Sequence, residues 1–388
     1  MRSRKWLWLV AVLVVLVSAG TYPLWTTWIT EITSAMNTSA TTPQRHPLAA
    51  DSRGSAAASS LATAQAIAQT QKKRPYRVEL GTAVQLDVLT SETPYRDTLT
   101  SHFTSITPEN ALDFSWTEPG PGVYDFKAAD ALVDFAVAHN MTVFGNGLVW
   151  YQAVPDWLKN GQYTRSQVIA ILHDHIYTVM SRYRGRIDSW EVVNEALSND
   201  GGAMRDNFWL QKIGPDYIAM AFRWAREADP DAMLYYNDYG AEMPGPKFEA
   251  LYNLVTGLKK EGAPISGVGF QMHVNLSYLK PTMQGVSANF ARINSLGLKI
   301  RITEMDVRGL TGNGATQQQL DEQANLYGSM ATLCMHTNAC VALTVWGVTD
   351  KYTWIDALFH TEDRPLLFDR SYRPKPAFYA VRYALKTP

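Results

Sequence analysis

Short apolar runs alternate with longer stretches of helical periodicity along most of this chain. The runs are "VELGTAV" from Val78, "FTSITPEN" from Phe103, "MTVFGNGLVW" from Met141 and "IDSWEVVNEA" from Ile187. They continue as "AMLYYNDY" from Ala232, "SGVGFQMH" from Ser266, "LKIRITEMD" from Leu298 and "CVALTVWGVTD" from Cys340. Between them the pattern turns helical, as from Phe126 to His139, Ser166 to Arg184 and Asp216 to Glu227. Strand alternating with helix eight times predicts an α/β fold, a single (β/α)8 TIM barrel. The rival, a doubly wound sheet, wants a glycine-rich phosphate turn after an early strand, and none is present.

Nearly every run ends in polar residues with chemical potential. Run two ends at Glu109 and Asn110, and run three leads through Asn146 to Trp150. Runs four and five end at Asn194 and Glu195 and at Asn237 and Asp238. Runs six and seven end at Gln271 and His273 and at Glu304 and Asp306; run eight carries Trp346 and Asp350. In a barrel the C-terminal strand ends converge on one face, where active sites sit. A lined cleft explains these endings better than chance does.

The chain start follows a different pattern. Arg2, Arg4 and Lys5 precede an apolar run from Trp6 to Val17, which reads as a signal peptide or signal anchor over 1–32. Small residues at Val17 and Ala19 suit cleavage, whereas Trp25 and Trp28 suit a membrane interface, so both readings stand. Export follows from either, to the periplasm or the cell exterior, secreted or tethered. Residues 33–73 are rich in Ala, Ser, Thr and Gln and read as a flexible linker. The catalytic domain is then expected over 74–388.

Composition changes this picture little. Hydrophobic residues make up 46%, charged residues 18%, and the formal net charge is -1, so nothing suggests a nucleic-acid partner. Twelve Trp and 19 Tyr fit a bulky core or sugar stacking. Cys334 and Cys340 enclose the short loop "MHTNA"; in an exported chain a bridge is expected over free thiols. His173 and His175, two apart on a helix, face different directions, and no HExxH or CxxC spacing occurs, so no metal or other cofactor is expected. No Gly-x-Ser-x-Gly elbow supports a serine esterase. Monomer is the default.

Glycoside cleavage needs two carboxyl groups flanking the bond, one to protonate the leaving oxygen and one to attack or to activate water. Glu195 and Glu304 end runs four and seven, which a barrel could set across a cleft. A separation near 5 Å implies attack and retention, and one near 8 Å implies inversion. Asn194 beside Glu195 could hold a sugar hydroxyl. A chain Glu304–His273–Asp306 would fix the rotamer and ionised state of Glu304, the alternative being a satisfied core histidine.

The motifs "SITPENAL", "SWEVVNEA", "LYYNDYGAE", "GVGFQMH", "ITEMD" and "LTVWGVTDKYTW" together resemble glycoside hydrolase family 10, whose typical members are endo-β-1,4-xylanases. The resemblance runs in order through residues 76–385. It implies a retaining hydrolase of a β-glycan such as xylan, with Glu195 as acid/base and Glu304 as nucleophile. It implies support from Asn194, His273 and Asp306, and sugar contacts from Glu109, Asn110, Asn237 and Gln271. Trp150, Trp346 and Trp354 match aromatics that wall the sugar subsites, and Cys334–Cys340 matches a common bridge.

The departures fall on the glycone side. Where the family usually has Lys four residues after its P-E-N glutamate, this chain has Asp113. Where the family reads G-H-T-L-V-W-H, this chain reads "GNGLVWY", so Asn146 and Tyr151 replace histidines, and Ala153 stands where a cleft Gln follows. Lys to Asp exchanges a donor for a charged acceptor. These changes leave open a plain xylanase, a hydrolase retuned for a substituted, self-produced exopolysaccharide, and a weakly catalytic glycan-binding protein.

Overall fold

The eight runs become the staves of a closed barrel because each is flanked by helices and buried on both faces, as parallel strands require. The computed structural model describes residues 78–200, 203–277, 281–311 and 314–386. The expected signal or anchor segment and the linker lie outside the described residues. The strands are β1 (Glu79–Val84), β2 (Ser105–Pro108), β3 (Thr142–Gly145), β4 (Val149–Trp150) and β5 (Ser189–Asn194). They continue as β6 (Met233–Asp238), β7 (Gly267–Phe270), β8 (His273–Asn275), β9 (Lys299–Arg308) and β10 (Cys340–Val345). They pair in the order β10-β1-β2-β3-β5-β6-β7-β9, and β9 closes onto β10. Every one of these pairings is parallel. The predicted TIM barrel is therefore present, with β4 and β8 as short rim extensions on β5 and β9.

Helices form the outer ring. Arg165–Tyr183 buries Val168, Leu172, Ile176, Val179 and Tyr183, a stripe at three- and four-residue spacing, and opens with a capping box at Thr164. Lys127–Ala138 and Tyr217–Ala228 likewise lie within a residue or two of the spans expected. His175 is buried, stacked on Phe114 and bonded to Glu118, whereas His173 faces Glu227 on the surface, so the two do turn apart. Cys334 and Cys340 are joined, tying the end of Gln317–His336 to the start of β10. Among the described residues no helix is long and apolar enough to cross a membrane.

The barrel floor is polar but closed. Arg301 pairs with Glu79 at 3.1 Å, and its guanidinium lies 4.5 Å from the Phe144 ring centre. The opposite charges and a bond from Thr142 Oγ1 to Glu79 Oε1 at 3.1 Å offset the cost of burying the pair. The ladder slips in three places, once at the start of β10 between Cys340 and Ala342 and twice beside the site. The register of β5 against β6 shifts between Glu191 and Val193, and that of β9 against β10 shifts between Ile302 and Met305. A bulge of this kind changes which face the following side chains occupy. The β5 slip falls just before Asn194 and Glu195, and the β9 slip brackets Thr303 and Glu304.

Candidate active site

Glu191, Asn194, Thr303 and Glu304 all reach one side chain, Asn237 of β6. Its Nδ2 donates to Glu191 Oε2 at 2.6 Å and to Glu304 Oε1 at 2.8 Å, and lies 3.3 Å from Asn194 Oδ1. Its Oδ1 accepts from Thr303 at 2.7 Å. In a regular strand residues 191 and 194, or 303 and 304, would face opposite ways. The two bulges bring each pair to one side. Gly269 makes room for this hub, since a Cβ there would come within 2.3 Å of Asn237 Oδ1.

Glu304 is gripped on both oxygens. Asn237 holds Oε1, and His273 Nε2 lies 3.2 Å from Oε2. His273 Nδ1 lies 2.8 Å from Asp306 Oδ2, which also accepts from Trp354 Nε1 at 2.8 Å. The predicted chain Glu304–His273–Asp306 is thus assembled, with Trp354 closing it. Burial alone would lower the His273 pKa, but the Asp306 and Glu304 carboxylates override it and push it well above the ordinary histidine value. His273 begins β8 rather than ending β7: Met272, at φ 65, turns the chain between them. Glu242 Oε1 holds that turn by accepting from the Met272 N–H at 3.0 Å.

Glu195 leaves β5 with φ 55, a left-handed conformation rare for a side chain with a Cβ. Such a backbone costs about 1–3 kcal/mol unless its surroundings fix it. Here Glu195 N–H donates to the Asn237 carbonyl at 2.9 Å, and Arg205 Nε donates to the Glu195 carbonyl at 2.9 Å. Tyr236 Oη accepts from the next amide, Ala196 N–H, at 3.1 Å. Arg205 continues to Tyr239 Oη and Asn199 and lies 4.7 Å from the Tyr151 ring centre. Burial raises the Glu195 carboxyl above the usual range, the Asp238 and Glu304 charges adding to it against a bond from Gln271.

Gln271 ties the Glu195 carboxyl to the Asn194 amide. Its Nε2 donates to Glu195 Oε1 at 3.0 Å and to Asn194 Oδ1 at 3.1 Å. With Oδ1 so occupied, Asn194 keeps its Nδ2 hydrogens for a ligand. Trp150 sits on β4 beside Asn194, and Trp346 follows β10, its backbone N–H donating to the Met305 carbonyl.

The other wall follows β2 and β3. Glu109 is half-buried, its carboxyl pushed up to about 7 by desolvation against a bond from Gln85. Asn110 is exposed on the turn, its carbonyl accepting from Asp113 N–H. Asp113, Asn146 and Ala153 are buried, and Ala153 donates its N–H to the Trp150 carbonyl. Two strand-end acids turn to structural work instead: Asp238 pairs with Lys247 at 2.9 Å, and Asp350 with Lys375 at 3.0 Å.

Sequence reasoning missed Glu191, Arg205, Thr303 and Glu242. Glu191 stands in the quoted "SWEVVNEA", three residues before Asn194, where regular strand alternation places it on the opposite face.

The family described as Glycosyl hydrolase family 10 matches residues 68–384. The chain is 40% identical over 288 residues to Endo-1,4-beta-xylanase B of Thermotoga neapolitana, covering 74% of this chain and 82% of that one. Native xylanase 10B from Thermotoga maritima superposes with a TM-score of 0.76 at 37% identity, over 84% of this chain and 97% of that one. Xylanase 10B from Thermotoga petrophila RKU-1, solved in complex with xylobiose, gives 0.77 at 36% identity with the same coverage.

Proposed function

The chain belongs to glycosyl hydrolase family 10 and is an endo-1,4-β-xylanase-like glycoside hydrolase, and from that premise we propose that it cleaves β-1,4-linked xylan by double displacement with retention. Glu195 is the acid/base and Glu304 the nucleophile. The observation that carries this reading is the contrast between two carboxyl groups on one rim. Glu195 is desolvated and inclined to keep a proton, while Glu304 has both oxygens held by donors and aimed. Two carboxyls driven apart in this way divide into an acid and a nucleophile.

In the first step Glu304 attacks the anomeric carbon as Glu195 protonates the departing oxygen. The glycosyl ester that forms no longer carries the Glu304 charge. That charge is one of the influences raising Glu195, so its loss makes Glu195 readier to ionise and to take a proton from water in the second step. Asn194 Nδ2 offers hydrogens to a sugar hydroxyl beside the reacting carbon. The basic, apolar start of the chain supports action outside the cytoplasm.

The test uses two variants and the wild type. Glu304→Ala abolishes hydrolysis, and azide restores turnover to a glycosyl azide of inverted configuration. Glu195→Gln loses xylan hydrolysis but spares aryl glycosides with good leaving groups, which need little protonation. Inverted sugar released by the wild type, followed by NMR, would sink retention; equal loss on both substrates would sink the Glu195 assignment.

A further inference from the structure

The wall after β2 and β3 offers hydrogen-bond acceptors and no counter-cation. Asp113 is only 6% exposed, and its carboxyl has no hydrogen bond or ion pair among the described residues. Burial first, then the neighbouring Glu304 and Glu109 charges, drive it well above the ordinary aspartate range, with no cation opposing them. Asn146 is also 6% exposed; its Nδ2 gives one hydrogen to the Glu109 carbonyl at 3.2 Å, and its Oδ1 has no partner. Gly147 locks these groups together: at φ +74, any Cβ on it would come within 2.2 Å of Asp113 Oδ1. Asp113, Asn146 and the half-buried Glu109 therefore cluster beside Glu304.

A sugar hydroxyl brings one hydrogen and two lone pairs, whereas a protonated amine brings three hydrogens and no lone pair. The cluster holds two carboxyls and an orphaned amide oxygen, which matches the amine. A buried carboxylate is costly without an opposite charge, and an ammonium supplies that charge. Among the described residues no three His, Cys, Asp or Glu are arranged to hold a metal ion. We propose that this wall receives a protonated amino group on a glycone-side sugar, so that the enzyme cleaves β-1,4-glycans bearing free amines. The proposal rests on the hydrolase reading above.

The experiment compares the full-length wild type and Asp113→Asn on three β-1,4 hexasaccharides: glucosamine, N-acetylglucosamine and xylose. An activated aryl β-xylobioside serves as the reference. The wild type is expected to show kcat/KM at least tenfold higher on the glucosamine hexamer than on its acetylated counterpart. Asp113→Asn is expected to cut that ratio at least tenfold. Because the ratio is read on one preparation, loss of folded protein cancels. The wild-type ratio is also expected to grow as pH rises through the Asp113 titration, until the amine loses its own proton. No amine preference in the wild type, or a ratio indifferent to Asp113→Asn, overturns the proposal while turnover of the aryl xylobioside leaves the hydrolase reading standing. Failure on the aryl xylobioside and all hexamers overturns both.

Discussion

Asn237→Ala is the sharpest probe of the site, because one amide serves two strands and two carboxyls. Its Nδ2 has two hydrogens, and they go to the two short contacts, Glu191 at 2.6 Å and Glu304 at 2.8 Å. The Glu304 bond is charge-assisted and worth about 1.5–3 kcal/mol, whereas the Glu191 carboxyl, pushed well above the ordinary range by burial and the Glu304 charge, makes an ordinary bond worth about 1 kcal/mol. Truncation also strips Thr303 of its acceptor and leaves Glu191 buried without its shortest donor. A loss of roughly 3–5 kcal/mol in unfolding free energy is expected from leaving such groups unpaired. The share that reaches catalysis is the Glu304 bond alone, which translates to about ten- to a hundredfold in kcat. Urea unfolding reads the first quantity. Turnover of an activated aryl β-xylobioside reads the second, since Glu195 matters little there. A variant that keeps kcat within threefold while losing the expected stability would show that Asn237 braces the barrel without aiming Glu304. A variant that loses neither would refute the hub altogether.

Two further predictions concern stability. His273 is raised well above its ordinary value by Asp306 and Glu304 against burial, so its contribution is complete below about pH 6.5 and fades as pH rises through the raised value. Urea midpoints should therefore fall across that window more steeply in the wild type than in His273→Gln, by up to about 1.4 kcal/mol per pH unit, and parallel curves would contradict the charged assignment. Reducing the Cys334–Cys340 bridge, which closes a separation of six residues, is expected to cost about 2 kcal/mol, read as a lowered Tm with unchanged kcat. A change in kcat instead would mean the bridge shapes the cleft.

The sequence by itself determined the barrel and the two carboxyls. Eight apolar runs spaced by helical stretches leave few ways to bury every strand, and closure puts all strand ends on one rim. Glu195, Glu304, His273 and Asp306 were legible because each follows such a run. Tertiary structure alone decided how they meet. Alternation along β5 and β9 would have put Glu191 against Asn194 and Thr303 against Glu304 on opposite faces; two register slips, set by pairing with β6 and β10, reverse that. The left-handed turn at Glu195 is likewise held by Arg205, ten residues on, and by the carbonyl of Asn237 on the neighbouring strand. The sequence also named Asp113 and Asn146 as unusual, but their meaning depends on desolvation. Only the fold shows that Gly147 packs against a buried Asp113 carboxyl with no cation beside it among the described residues, because burial is a property of the whole barrel and not of any run within it.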